Sequence, residues 1–318
     1  MTTNRRVSLA IPVFNEEAVL PELIERVGRV LDAVPGGPHE VVFVNDGSRD
    51  RSQELLEAAA AADPRLVVVK FSRNFGHQAA LSAALDHVTG DVVMTMDADL
   101  QDTPEALSTL LERLDEGYDV VVVRRVARKE SWWLRASYHV AYRLIAKMSD
   151  VPMPVDAGDF ALMSRRVVDA LTALPERERY LRGLRTWVGF RQTTVEVPRA
   201  ARAAGETKYS LAKLMSLALD GAFSFSIVPL RLSAAIGFTA FLGAFLFSLY
   251  AVYAKVVLDQ SPQGFTALIV AGTFLAGILL IAIWIIGEYV GRIYEEVKRR
   301  PVYVVDSVTD SRGRRRPH

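Results

Sequence analysis

The stretch that decides the fold class is Asp91-Val92-Val93-Met94-Thr95-Met96-Asp97-Ala98-Asp99-Leu100-Gln101-Asp102. It begins as a short apolar run and ends in a cluster of carboxylates. A strand that is apolar at nearly every position is buried on both faces, which is typical of a parallel sheet covered by helices. The stretch therefore predicts an inner strand that carries acidic side chains to one edge of a sheet.

Strands and helices alternate on both sides of this stretch. Further apolar runs that predict strands are Val7 to Val13, Val41 to Val44, Leu66 to Phe71 and Asp119 to Val123. Segments with helical spacing or composition are Glu17 to Leu31, Ser52 to Ala62, Gln78 to Val88 and Pro104 to Leu114. The alternation predicts an α/β domain with a Rossmann-like parallel sheet and right-handed crossovers.

Polar residues follow three of these strands. The first strand runs into Phe14-Asn15-Glu16, the second ends in Asn45-Asp46-Gly47-Ser48, and the fourth continues into the acidic residues quoted above. Ligands of such sheets bind beyond the carboxyl ends of the strands, so we expect these residues to form one site. The sequence has no G-x-G-x-x-G after its first strand and no G-x-x-x-x-G-K-[ST], which disfavours dinucleotide-binding and P-loop proteins.

Asp97 and Asp99 are the strongest candidates for metal ligands. Alternate residues at the end of a strand point the same way, so both carboxylates can face one ion. Two close carboxylates repel each other unless a cation lies between them. Oxygen ligands with open positions suit Mg²⁺ or Mn²⁺ bridging to phosphates. The alternative is an acidic turn that caps a helix beginning at Pro104, a role open to Asp102 or Thr103.

Two long segments without charge indicate membrane spans. Leu232 to Ala254 is 23 residues long and Gly264 to Gly287 is 24, enough to cross a hydrocarbon core about 30 Å thick. The alternative is a pair of buried helices in a large soluble protein, although such helices seldom lack polar faces for so long.

The charges beside the two segments predict their orientation. Arg231 precedes the first, and Arg292 and Lys298 to Arg300 follow the second, whereas the connection from Lys255 to Gln263 carries one Lys and one Asp. By the positive-inside rule, both termini and the α/β domain lie in the cytoplasm. The expected location is the cell membrane, as a multi-pass protein.

Composition excludes several classes of function. Lys plus Arg number 38 and Asp plus Glu number 37, so the formal net charge of the 318 residues is +1, which disfavours a nucleic-acid-binding protein. The chain has no cysteine, which excludes disulfides, thiolate zinc sites and cysteine nucleophiles.

Five motifs in a fixed order carry a family resemblance. They are Pro12-Val13-Phe14-Asn15-Glu16-Glu17, Val44-Asn45-Asp46-Gly47-Ser48, Asp97-Ala98-Asp99-Leu100-Gln101-Asp102, Gly158-Asp159-Phe160 and Gly205-Glu206-Thr207-Lys208-Tyr209. In these motifs and in its two C-terminal spans, the chain resembles glycosyltransferase family two, and within it the polyprenyl-phosphate glycosyltransferases. The resemblance extends from Val7 to about Val305.

The resemblance implies a GT-A fold and an inverting transfer of a hexose from a nucleotide-sugar to undecaprenyl or another polyprenyl phosphate. The implied donor is UDP-glucose, with GDP-mannose second. The implied domains are a cytoplasmic glycosyltransferase domain with membrane-surface helices (1–227), two transmembrane helices (228–291) and a cytoplasmic basic tail (292–318). The implied partners are the donor, the lipid acceptor, the bilayer, further copies of the chain, a flippase and a downstream glycosyltransferase.

The matching motif positions assign the site residues. The base and ribose are assigned to Pro12, Phe14, Glu16, Val44 and Asp46. The metal and the diphosphate are assigned to Asp97, Ala98, Asp99 and Gln101, with Arg202 and Lys208 also reaching the diphosphate. The lipid phosphate is assigned to Arg125, Arg128, Arg135 and Ser137. Catalysis is assigned to Asp97, Asp99 and Asp159, although an acceptor that is already an anion needs a general base less than a sugar hydroxyl does.

Alternatives remain for several of these assignments. The arginine cluster, followed by Trp132 and Trp133, suits a lipid phosphate at head-group depth, or it is a solvated basic loop. His77, in a loop after the third strand, approaches the donor or is merely structural. The whole chain is alternatively a polysaccharide synthase, although it lacks the Q-x-x-R-W motif, or a non-catalytic scaffold that binds nucleotide-sugars. The resemblance also implies that the segment from Pro301 to Val305 pairs between subunits.

Overall fold

The computed structural model describes residues 4–126, 157–177, 179–198, 228–257 and 264–310. These residues belong to two compact units. The first unit contains the sheet, which is built from described residues up to 198 and from 301 onwards. The second unit contains the two long C-terminal helices.

Among its described residues, the first unit contains a mixed sheet of eight strands with helices. The strands are β1 (Val7–Val13), β2 (Glu40–Asn45), β3 (Leu66–Phe71), β4 (Val92–Thr95), β5 (Val120–Val126), β6 (Ala157–Ser164), β7 (Gln192–Pro198) and β8 (Val305–Thr309). The helices are α1 (Leu20–Ala33), α2 (Ser52–Ala62), α3 (His77–His87), a 3₁₀ turn (Pro104–Ala106), α4 (Leu107–Asp115), α5 (Arg165–Thr172) and α6 (Leu181–Trp187). The strand order is β7-β5-β6-β4-β1-β2-β3-β8.

The inner strands confirm the prediction of a parallel α/β sheet. β4, β1, β2 and β3 are mutually parallel, and every residue of β1 and β4 is buried. The helix α1 buries Leu20, Leu23, Val27 and Leu31, spaced at helical intervals. Each fully buried leucine contributes about 1.5–3 kcal/mol. This packing holds the carboxyl ends of four strands at one edge.

The first helix begins later than the sequence predicts. Its first residue is Leu20 rather than Glu17, because residues 16–19 form a turn in which the Glu16 carbonyl accepts the N–H of Val19 and of Leu20. Asn15 has a positive φ of 55°. Asparagine tolerates this left-handed conformation better than most residues, which allows the chain to leave β1 sharply.

Two strands run against the direction of the inner strands. β6 lies between β4 and β5 and is antiparallel to both, and β8 is antiparallel to β3 at the sheet edge. The sequence predicted a wholly parallel sheet. These two antiparallel strands make the observed sheet mixed. Alternation of strands and helices predicts crossovers, but it gives no signal for a strand that enters the sheet in the opposite direction.

The last described residues contribute a strand to the sheet. Residues 305–309 form β8 within the sheet, and the predicted span boundary at residue 291 falls inside the last long helix. β8 pairs with β3 of its own chain; it overlaps the segment from Pro301 to Val305, which we expect to pair between subunits, only at Val305, and that expectation stays a prediction.

The second unit contains α7 (Val228–Val257) and α8 (Phe265–Lys298), which pack against each other. Within them, Leu230–Ala254 and Val270–Lys298 are long and apolar enough to cross a membrane, with mean hydropathies of 1.9 and 2.4. Their large apolar side chains are mostly exposed, Phe238 and Leu268 among them. Exposed apolar surface of this extent requires an apolar environment.

Candidate active site

The loops after β1 and β2 are joined by hydrogen bonds at the sheet edge. The Asn15 N–H donates to the Ser48 hydroxyl at 2.9 Å, and the Asn15 side-chain oxygen accepts the Arg49 N–H at 2.8 Å. The Glu16 N–H donates to the Ser52 hydroxyl at 3.0 Å. These bonds hold the intervening chain, so that Phe14 is presented to solvent with 44% of its surface exposed. An exposed, backbone-fixed ring is available to stack on a planar base.

Asp46 holds the loop that follows β3. Its two carboxylate oxygens accept the N–H groups of Phe75 at 2.6 Å and Gly76 at 2.9 Å. Burial raises the pKa of Asp46, although these two hydrogen bonds oppose the effect. Gly47 has a positive φ of 68°, and a Cβ there would lie 2.6 Å from the backbone of Arg73. Glycine is therefore required where the two loops approach.

The acidic stretch after β4 folds onto itself. The Asp102 carboxylate accepts the Asp97 N–H at 3.1 Å, and Asp99 accepts the Gln101 N–H at 3.1 Å and its side-chain amide. Leu100 has a positive φ of 60° and is only 6% exposed. Burial of its side chain holds a left-handed conformation that costs a non-glycine residue about 1–2 kcal/mol. Strain of this kind clusters at functional sites.

Asp159, on β6, lies at the centre of a buried charged cluster. Its oxygens accept two hydrogen bonds from the Arg182 guanidinium, both at 2.9 Å, and one from the Gln78 amide at 3.3 Å. His77 Nε2 lies 3.5 Å from an oxygen of Asp159 and 3.5 Å from an oxygen of Asp97. The Asp159 side chain is 5% exposed, whereas that of Asp97 is 31% exposed.

Opposing effects determine the protonation of this cluster. Burial alone raises the pKa of Asp159, but the hydrogen bonds from His77 and Arg182 outweigh it and hold that pKa well below its usual range. Burial lowers the pKa of His77, and the carboxylates of Asp159 and Asp97 outweigh it, so the net shift is upward. Burial also lowers the pKa of Arg185 to about 10, which leaves it charged at neutral pH. The cluster therefore keeps an ionised carboxylate surrounded by cations.

The structure brings together much of the sequence-predicted site. Pro12 and Val44 are paired in register and buried, so the base-binding assignment there rests on their backbone and on the loops they lead into. Ala98 and Gln101 are also buried. Arg125 lies in β5, opposite Val197. Five predicted residues lie outside the described part of the chain: Arg128, Arg135, Ser137, Arg202 and Lys208.

Sequence reasoning missed part of the charged cluster. For His77, the sequence left open whether the side chain approaches the donor or is merely structural. Arg182 and Gln78 were assigned no role. The Leu181 N–H donates to the Gln78 side-chain oxygen at 3.0 Å, so Gln78 joins the start of α3 to the start of α6. No local pattern predicts this contact, because its partners lie 103 positions apart.

Comparison with models of protein families assigns the chain to a family. Residues 8–172, more than half of the 318, match the model described as Glycosyl transferase family 2. The chain belongs to glycosyltransferase family 2. This family 2 glycosyltransferase is 42% identical over 306 residues to an uncharacterized glycosyltransferase, YkcC, of Bacillus subtilis, covering 96% of this chain and 94% of the relative.

Relatives with named activities also match along nearly their full length. The bactoprenol glucosyl transferase of Shigella phage SfII is 40% identical, with 94% of this chain and 97% of the relative covered. The prophage bactoprenol glucosyl transferase homolog of Escherichia coli K12 is 39% identical, with 95% and 99% covered. These matches confirm the family resemblance and identify the family 2 glycosyltransferase as an enzyme of the transferase class.

A solved structure confirms the GT-A fold. The glucosyl-3-phosphoglycerate synthase of Mycobacterium tuberculosis, in complex with Mn²⁺, UDP and glucosyl-3-phosphoglycerate, superposes with a TM-score of 0.51 at 23% identity. The match covers 70% of this family 2 glycosyltransferase and 79% of the synthase. At this identity the similarity establishes the architecture of the sheet domain.

Proposed function

We propose that this enzyme transfers a hexose from a nucleotide-sugar to a polyprenyl phosphate at the cell membrane. The observation that carries the proposal is that a strand-edge site containing Asp97 and Asp99 occurs in a chain with two helices long enough to span a bilayer. The full-length relatives named as bactoprenol glucosyl transferases support it. A lipid acceptor explains why a sugar-transferring domain carries its own membrane helices.

The proposed donor is UDP-glucose, with GDP-mannose as the second candidate. The glucosyl activity in the relatives' names supports glucose, and the synthase of similar fold was solved with UDP. The exposure of the Phe14 ring supports its assignment to stacking on the base. Asp46 contributes by fixing the loop at residues 72–76 through the N–H groups of Phe75 and Gly76.

A divalent cation, Mg²⁺ or Mn²⁺, fits the carboxylates of Asp97 and Asp99. In the described residues no three His, Cys, Asp or Glu side chains surround one metal position, so donor phosphates and water complete the proposed coordination. Gln101 orients Asp99 through its backbone N–H and its side-chain amide. A cation bound there neutralises the charge that develops on the leaving diphosphate. The Mn²⁺ in the solved synthase supports this assignment.

We propose that Asp159 positions the side chains of Arg182 and His77 rather than removing a proton from the acceptor. Both of its oxygens are engaged by Arg182, with His77 and Gln78 beside them, and its pKa is held low. A phosphate acceptor attacks as an anion, so the reaction does not depend on a strong base. The remaining positive charge beside the leaving diphosphate is assigned to Arg202 and Lys208, and its role is electrostatic.

The experiment that tests the function is a panel of nucleotide-sugars. Purified enzyme in detergent receives undecaprenyl phosphate and either UDP-glucose, GDP-mannose or UDP-N-acetylglucosamine. Mass spectrometry of the lipid fraction is expected to show one added hexose with UDP-glucose. Donor binding without any glycolipid would instead support a non-catalytic scaffold. Chains of several sugars would support a polysaccharide synthase.

The lipid phosphate is assigned to Arg125, near the end of β5, and to Arg128, Arg135 and Ser137, and this assignment predicts a selective defect. Replacing Arg135 by Ala should weaken use of the polyprenyl phosphate by about 1–3 kcal/mol, the scale of one charged hydrogen bond. Donor use should change little, because the diphosphate is assigned to other residues. Steady-state kinetics with each substrate varied in turn separates the two effects. Lost donor affinity with intact lipid affinity would contradict the assignment.

The proposed topology places both termini in the cytoplasm and the connection between α7 and α8 outside. In this cysteine-free chain, a Ser261→Cys variant provides one reactive thiol. We expect a membrane-impermeant maleimide to label it in intact cells, because the basic flanks favour the cytoplasmic side. A cysteine replacing Ser108, on α4, is the matched control and should react only after permeabilisation. The reverse pattern would contradict the topology.

Assembly and pathway partners are also proposed. A homo-oligomer is supported by Gly287 and Gly291, whose spacing permits close helix contact in a membrane. A separate flippase and a further glycosyltransferase are proposed because two spans are too few to enclose a path for a glycolipid head group.

A further inference from the structure

We propose that Tyr303, five residues after the end of α8, is a positioning residue for the nucleotide-sugar. The inference rests on the proposed function, because it requires the loop at residues 72–76 to form part of the donor site. Tyr303 acts on that loop through Phe71, the last residue of β3.

The segment around Tyr303 is fastened to the edge of the sheet. β8 pairs with β3 from Val68 opposite Thr309 to Phe71 opposite Val305, and the Ser72 N–H donates to the Val304 carbonyl at 3.0 Å. This last hydrogen bond reaches the first residue of the 72–76 loop. The chain following the membrane helices therefore covers the strand from which that loop departs.

Tyr303 joins β3 to α3, the two elements connected by the loop. Its ring stacks on Phe71 with centroids 5.0 Å apart and an angle of 13° between the planes. Its hydroxyl donates to the Asp86 carboxylate, on α3, at 2.7 Å. Burial and this carboxylate raise the pKa of Tyr303, so the hydroxyl remains a donor at neutral pH.

The contacts continue from Phe71 to the site. The Phe71 ring meets the Phe75 ring edge-on at 5.6 Å, and the Arg73 guanidinium covers Phe75 at 4.0 Å. The N–H of Phe75 is one of the two donors that hold the Asp46 carboxylate. His77, two residues after Phe75, lies beside Asp97 and Asp159. Displacing Phe75 would therefore loosen the base-side loop and the start of α3 together.

The test is a set of full-length variants at position 303. Tyr303→Ala removes the stacked ring and the hydroxyl, Tyr303→Leu keeps apolar bulk, and Tyr303→Phe keeps the ring but removes the hydrogen bond to Asp86. An aromatic pair contributes about 0.5–1.5 kcal/mol, so we expect Tyr303→Ala to raise the donor KM about 2- to 13-fold. The acceptor KM and kcat should change little, and Tyr303→Phe should recover most of the donor affinity.

The matched control is Asp306→Asn on the same strand. Asp306 pairs with Lys70 at 2.8 Å, but both side chains are well exposed (48% and 39%). An exposed ion pair contributes little, so this variant should keep the wild-type donor KM. An equal rise in donor KM for Asp306→Asn and Tyr303→Ala would assign the effect to β8 as a whole and overturn a specific role for Tyr303.

A second measurement does not depend on activity. Hydrogen exchange followed by mass spectrometry should show faster exchange at the Phe75 and Gly76 amides in Tyr303→Ala, and near-wild-type exchange in Tyr303→Phe. Unchanged exchange with unchanged donor KM would overturn the inference. If the wild-type enzyme transferred no sugar, the proposed function would fail, whereas the exchange result would still decide whether Tyr303 orders the loop.

Discussion

Replacing Asp99 by Ala is expected to remove metal-dependent turnover. Asp99 lies at the sheet edge with Asp97, and its orientation is held by Gln101 and by the strained backbone at Leu100. Loss of a charge-stabilising group at a transition state costs about 3–4 kcal/mol, or 10²- to 10³-fold in kcat. The variant is assayed across a titration of Mn²⁺ and of Mg²⁺.

Two comparisons make the Asp99 result specific. Asp99→Asn keeps the shape but removes the charge, so it should behave nearly as Asp99→Ala does. Asp115→Asn, in a partly exposed pair with Arg5 at the end of α4, should keep full activity. Calorimetric titration of Mn²⁺ in the presence of UDP gives a readout that does not require turnover. Full activity of the wild type in excess chelator would contradict the metal assignment.

The second large effect is expected on stability, from Arg182→Ala. This change leaves the Asp159 carboxylate, which is 5% exposed, without its bidentate hydrogen-bond partner. Removing one member of a buried ion pair typically costs about 3–5 kcal/mol, and the partial exposure of Arg182 places the expected loss near the lower end. Thermal unfolding in detergent, followed by tryptophan fluorescence, measures it.

The control for Arg182 is an exposed arginine on the same sheet domain. Arg113→Ala breaks a pair with Glu116 in which both side chains are about half-exposed, so it should cost less than about 1 kcal/mol. A double variant, Arg182→Ala with Asp159→Asn, should be less destabilised than the sum of the single variants, because the buried charge is also removed. Additive losses would argue that the two side chains are not coupled.

The same cluster predicts the sign of a pH effect. The pKa of Asp159 lies below its usual value in the folded enzyme, so its ionised form stabilises the fold at neutral pH. That contribution is lost as the pH falls below the usual aspartate pKa of about 3.9. The stability difference between the wild type and Arg182→Ala should therefore shrink as the pH falls below about 4. A difference that grew on acidification would contradict the low pKa of Asp159.

The amino-acid sequence by itself determined the features that depend on local pattern. Continuous apolar runs predicted β1, β2, β3 and β4, because a strand buried on both faces has no polar alternation. The acidic residues after β4 indicated at which edge of the sheet the site lies, because parallel strands place their carboxyl ends at the same edge. Two long apolar segments indicated α7 and α8 as candidate membrane spans, because that prediction depends only on length and hydropathy.

Only the tertiary structure decided which distant side chains meet. Asp159 contacts Gln78 across 81 positions, and Tyr303 contacts Asp86 across 217. Periodicity within one segment contains no information about either pair. The same holds for β6 and β8, whose antiparallel direction depends on which edge or gap of the sheet is open once the parallel strands have paired. Long-range packing therefore placed Asp97 of the acidic motif in a charged cluster with His77 and Asp159. It also placed Tyr303 against Phe71, next to the loop at residues 72–76.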